Sequence, residues 1–90
     1  MKIIADKSFE KDLVKLEKKQ KQEVVNLIQI LKQIENLSEI TSIKKLSGFK
    51  NLYRIRLGNF RIGFRLDGEK IILIRILHRK DIYKYFPLFL

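Results

Sequence analysis

The dipeptide Gly58-Asn59, with an alternating run on either side, limits this chain more than any other feature. Gly and Asn tolerate the left-handed backbone that a two-residue hairpin turn requires, and such a turn leaves its strands a single register. Leu57 then pairs with Phe60, Arg56 with Arg61, Ile55 with Ile62, Arg54 with Gly63 and Tyr53 with Phe64. Successive side chains of a strand point to opposite faces. One face therefore reads Tyr53, Ile55, Leu57, Phe60, Ile62, Phe64 and Leu66, which is a core. The other carries Arg54, Arg56, Arg61, Gly63 and Arg65.

That second face is where composition matters. All six arginines lie between Arg54 and Arg79, while residues 1–50 hold only lysines as strong bases. Arg56 opposite Arg61 is a like-charge pair, which costs from a few tenths to about 1 kcal/mol. No acid on either strand neutralises it. A merely solvated surface intersperses both signs, whereas a bound phosphate would turn the repulsion into a clamp, and arginine grips phosphate bidentately. Gly63 in the middle is expected to let a ligand backbone come close. The net charge of +10 makes a polyanion the default partner.

Around the hairpin the chain reads as one domain over residues 1–90. Lys2–Ala5 is a short strand. Ser8 is the expected N-cap of a helix carrying Phe9, Leu13 and Leu16, with Glu10 and Asp12 in the first turn where acids suit the dipole. Val24, Leu27, Ile28, Leu31 and Ile34 form a second helical set. The polar run Glu17–Gln22 between them is expected to hold the bend of an antiparallel helix pair. Residues 36–51 read as a connection in which Lys44 and Lys45 add positive charge.

A further turn at Asp67-Gly68-Glu69 leads into Ile71–Leu77, whose apolar residues fall on both parities and so mark a strand covered on both faces. Lys2–Ala5 is the natural neighbour for its free edge. A three-residue turn puts Arg75 and Arg79 on the arginine face, and a two- or four-residue turn puts His78 there instead. Asp81–Phe86 forms a short helix stopped by Pro87, and the apolar tail Phe86–Leu90 either completes the core or lies under a partner. The expected fold class is α+β, in the order β-α-α-β-β-β-α: an N-terminal strand, the helix pair, and a three-stranded antiparallel meander completing a four-stranded sheet.

Cys 0 and a single His leave no ligand set for a structural zinc, and no cofactor or metal is expected. No signal segment or membrane span is legible, which points to the cytoplasm.

The string Tyr53-Arg54-Ile55-Arg56-Leu57-Gly58-Asn59-Phe60-Arg61, followed by Ile71–Leu77 and His78-Arg79-Lys80-Asp81-Ile82-Tyr83, resembles the RelE/ParE toxin superfamily, as does the helix pair upstream. The resemblance covers essentially the whole chain. It implies a type II toxin with a cognate antitoxin as partner. Its RelE branch cleaves mRNA in the ribosomal A site, and its ParE branch poisons DNA gyrase. Carried over by position, Arg54 and Arg56 match a basic pair contacting RNA phosphate, and Arg61 the arginine stabilising the scissile phosphate. Arg79 matches a basic residue assisting the leaving group, and Tyr83 the tyrosine that orients or deprotonates the 2′-hydroxyl. Arg65 and Lys45 complete the expected phosphate-binding set.

RelE has lysines where this chain has Arg54 and Arg56, and arginine side chains bind charge without giving up a proton. The base is then expected to be Tyr83, with His78 as the alternative, histidine being the side-chain type that ordinarily titrates near neutrality. The expected activity is metal-independent endoribonuclease cleavage by the 2′-hydroxyl of RNA. A gyrase poison and a non-catalytic nucleic-acid-binding relative are the competing readings.

Overall fold

The computed structural model describes residues 1–87; the expectation for Leu88–Leu90 lies outside the described residues. The elements are β1 (Lys2–Ala5), α1 (Lys7–Val14), α2 (Lys18–Gln33), β2 (Ile43–Lys45), β3 (Leu52–Leu57), β4 (Phe60–Asp67), β5 (Lys70–His78) and α3 (Ile82–Tyr85), with a single 3-10 turn at Leu37–Glu39. The α+β class stands, but the sheet has five strands where four are expected, in the order β1-β5-β4-β3-β2. The extra strand is β2, which pairs antiparallel with β3. β1 joins the other side, parallel to β5, so the sheet is mixed.

Local chemistry moves two helix boundaries. Asp6, not Ser8, is the N-cap of α1: its carboxylate accepts the Ser8 N–H and, at 2.7 Å, the Ser8 hydroxyl. α2 begins at Lys18, so most of the polar run 17–22 is the first turn and a half of that helix, and the bend lies at residues 15–17.

The β3–β4 register is the one Gly58-Asn59 demands, from Leu57 opposite Phe60 to Leu52 opposite Arg65. Gly58 has φ of 58°, the left-handed conformation the turn needs. The β4–β5 turn is tighter than Asp67-Gly68-Glu69 implies, because Asp67 pairs with Lys70. A bulge then places Ile74 without a partner between the pairs Phe64–Leu73 and Gly63–Arg75. Beyond it Leu77 faces Arg61 and His78 faces Phe60.

Both faces of the sheet carry packed clusters. On one, Phe9, Val24, Leu27, Leu31 and Ile34 cover Ile55, Ile62, Phe64, Ile71, Leu73 and Ile76. On the other, Leu52, Ile74, Ile82 and Phe86 form a second cluster that seats α3.

β1 pairs with β5 only over Lys70–Leu73, leaving the edge of Ile74–His78 without a strand beside it. α1 supplies the missing partners. The Ser8 hydroxyl donates to the Ile74 carbonyl, and the Asp12 carboxylate accepts the Ile76 N–H at 3.0 Å. Asp12, only 5% exposed, also holds Arg75 at 2.6 and 2.9 Å. Those bonds raise the Arg75 proton affinity above that of an ordinary arginine.

Candidate nucleic-acid interface

Two β-strands, the residue that follows β5 and one short helix bring side chains to one patch. β3 contributes Arg54 and Arg56, and β4 contributes Arg61 directly opposite Arg56. Arg79 follows the end of β5, where its N–H donates to the Asn59 carbonyl at 2.7 Å and ties it to the hairpin turn. α3 rests on buried Ile82 and Phe86, leaving Tyr83 55% exposed. Arg61 feels the charge of each of the others. Lost solvation first, then the charges of Arg54, Arg56 and Arg79, lower the Arg61 proton affinity, and Tyr83 opposes them. The guanidinium keeps its charge throughout.

Two of the guanidiniums lean on backbone carbonyls. Arg61 donates to Gly58 and Phe60 oxygens at 2.8 and 2.9 Å, and Arg54 donates to the Ser42 oxygen at 3.1 Å. Among the described residues neither is hydrogen-bonded to an acid, and each guanidinium has more N–H donors than these bonds use. Gly63 does not serve an incoming ligand. A Cβ there would lie 2.5 Å from the Phe86 ring, and that ring occupies the space.

Three expected residues fall elsewhere. Arg65 is half-buried on β4 and acts on Asp6 at the head of α1, whose carboxyl is lowered chiefly by the Ser8 hydroxyl. Lys45 pairs with Tyr53, on the helix-covered side of the sheet. His78 pairs with Phe60 on that same side, its ring edge-on to Phe60 at 5.9 Å. There it lines a groove of about 580 Å³ with Leu16, Gln20 and Phe60, apart from Arg61.

Lys44, a residue the sequence does not single out, stands opposite Arg54 on the arginine face. Only the pairing of β2, which the sequence pattern leaves as a loop, distinguishes it from Lys45. Among the described residues, no three His, Cys, Asp or Glu come together as metal ligands.

Comparison with known proteins shows the family of the chain. Residues 3–83 match the family described as ParE toxin of type II toxin-antitoxin system, parDE. The chain belongs to the ParE/RelE toxin family. A relative from Methanocaldococcus jannaschii, named Toxin RelE3, is 41% identical over 97% of this chain and 100% of its own length. Among solved structures, the toxin is similar to the RelB-RelE antitoxin-toxin complex from Methanococcus jannaschii, with a TM-score of 0.80 and 39% identity over 93% of this chain and 99% of that one. The archaeal RelE-RelB complex from Pyrococcus horikoshii OT3 shares the fold, with a TM-score of 0.72 and 24% identity over 87% and 93%. In this ParE/RelE toxin Arg54, Arg56 and Arg61 lie on strands, Arg79 lies just past β5, and Tyr83 lies on the short helix α3. Among its described residues, no helix is long and apolar enough to cross a membrane.

Proposed function

We propose that this toxin is a ribosome-dependent mRNA endoribonuclease that needs no metal, acts on mRNA in the A site in the cytoplasm, and is neutralised by a cognate antitoxin. The observation that carries the reading is the meeting of Arg54, Arg56, Arg61 and Arg79 with exposed Tyr83 on one patch. The RelB partners in the archaeal RelE structures support the antitoxin.

In this reading the phenolate form of Tyr83 takes the proton of the 2′-hydroxyl as the 2′-oxygen attacks the adjacent phosphorus, and the phenol so formed later returns that proton to solvent. The bond from phosphorus to the 5′-oxygen breaks, giving a 2′,3′-cyclic phosphate and a 5′-hydroxyl. The phosphorane between these states carries extra negative charge, which Arg56 and Arg61 stabilise beyond the ground state. Arg79 screens the departing 5′-oxygen, which takes a proton from water. Arg54 binds a neighbouring phosphate. Tyr83 is the acid–base group of this reading, and orientation of the substrate by the ribosome supplies a large share of the rate.

Primer extension on mRNA after induced expression tests this. Cuts within translated frames that vanish in Arg61→Ala and fall sharply in Tyr83→Phe are expected. The family model's ParE description favours one competitor, gyrase poisoning. Trapped double-strand DNA breaks without mRNA cuts, with toxicity indifferent to Tyr83→Phe, would establish that reading in place of ours.

A further inference from the structure

β5 and α3 are joined by only Arg79, Lys80 and Asp81. Each of these three backbone N–H groups has a partner. Arg79 donates to Asn59 across the hairpin, Asp81 donates to the His78 carbonyl at 2.8 Å, and Lys80 donates to the imidazole Nδ1 of His78 at 3.2 Å. The middle bond is the unusual one, because a side chain holds it. α3 has no side-chain cap of its own: Asp81 stands at its N-cap position and makes no capping bond.

The orientation of the ring is also fixed. An Nδ1 that accepts an N–H carries no proton, so in the neutral ring the proton sits on Nε2. Phe60 meets the ring edge-on and limits its rotation. The geometry matches an Asx turn, in which an Asn side-chain oxygen accepts the N–H two residues on. Nδ1 of histidine and Oδ1 of asparagine stand the same number of bonds from Cα.

We infer that His78 is a positioning residue whose Nδ1 holds the Lys80 amide and thereby fixes the turn that delivers Arg79 and Tyr83 to the basic patch. The inference rests on the assignment of Arg79 and Tyr83 to the site. His78 touches no reacting atom, since register sends its side chain to the face opposite Arg61. This separates it from the role of alternative base and gives it one that depends on a lone pair at one atom.

Three substitutions distinguish the roles. His78→Asn keeps an acceptor at the Nδ1 position but no titratable group. His78→Phe keeps a ring against Phe60 but no acceptor, and His78→Ala keeps neither. The expected result is mRNA cleavage and growth arrest within about threefold of the parent for His78→Asn, and lower by about 10- to 100-fold for His78→Phe and His78→Ala, the range a small misplacement of reacting groups produces. Activity retained in His78→Phe would overturn the inference in favour of packing, and activity lost in His78→Asn would overturn it in favour of proton transfer.

Amide hydrogen exchange provides a reading independent of RNA. Lys80 should be protected in the parent and in His78→Asn, and exchange faster in the other two. ¹⁵N spectra should show the parent ring unprotonated at Nδ1. Equal Lys80 exchange in all four proteins overturns the inference. If the parent cuts no mRNA while the exchange pattern and growth arrest follow the acceptor, the RNase reading falls and the positioning role of His78 stands.

Discussion

On the helix-covered face of the sheet, Ile55, Ile62 and Phe64 are buried without interruption beneath α1 and α2. On the opposite face, packing stops at the small cluster of Leu52, Ile74, Ile82 and Phe86, and the strands beyond it carry Arg54, Arg56 and Arg61. The two arrangements also treat arginine differently. Arg75, at the edge where α1 completes the sheet, has a buried carboxylate at 2.6 Å and lies 5.4 Å from the Tyr85 ring centre. Arg61 has two carbonyls and the repulsion of its neighbours. A cation held for stability is given its counter-charge within the fold, and a cation held for a ligand is left to find it outside.

The sharpest way to break this contrast is to remove one group from each region. Arg61→Ala should lower mRNA cleavage by about 10²–10³-fold, the effect of losing one preorganised charge at a transition state, with little change in melting temperature. A single-turnover assay on programmed ribosomes beside a thermal scan reads both. Asp12→Ala should do the reverse. It removes the acceptor of the Ile76 N–H and the buried carboxylate that holds Arg75, at a cost of about 3 kcal/mol. That corresponds to a fall of more than about 10 °C in a domain of this size. Were Asp12→Ala to melt like the parent, the structural half of the comparison would be wrong.

Gly63→Ala probes the boundary between the regions. The added methyl would overlap the Phe86 ring, which must shift and take α3 with it. Overpacking of this kind costs about 1–3 kcal/mol. Because α3 carries Tyr83, activity should fall more than stability alone explains. The pair Gly63→Ala and Phe86→Leu, which makes room for the methyl, should recover part of both, and calorimetry with the cleavage assay checks it. No recovery would mean that Gly63 serves some other contact.

How far these regions are legible in the sequence depends on how many registers each segment allows. Gly58-Asn59 admits one, so the Arg56–Arg61 pair and the split of β3 and β4 into two faces are readable from residues alone. Ile71–Ile74 fit either face equally well. Their alternation therefore carries no trace of the bulge at Ile74, which decides that His78 joins Phe60 while Leu77 joins Arg61. Asp12 reads as a first-turn acid because nothing local reveals that β5 outlasts β1. Ile43-Lys44-Lys45 is too short to show a period. Its pairing is instead set by β3, through the Arg56 N–H and the Arg54 side chain on the Ser42 carbonyl.

That last segment gives the smallest and most selective test. Lys44 and Lys45 are adjacent, both exposed and alike in chemistry, so composition and local charge cannot tell them apart. Register alone separates them, placing Lys44 opposite Arg54 and Lys45 opposite Tyr53. If the arginine face binds single-stranded RNA, Lys44→Ala should remove one phosphate contact and reduce the slope of log affinity against log salt by about 0.7. Lys45→Ala should leave that slope unchanged, although it subtracts the same charge from the molecule. Binding of a non-cleavable oligonucleotide carrying 2′-deoxy at the scissile position, measured from low to moderate salt, provides both slopes. Equal losses would mean that RNA responds to net charge and not to the face, and the distinction between the two sides of the sheet would then have no bearing on recognition.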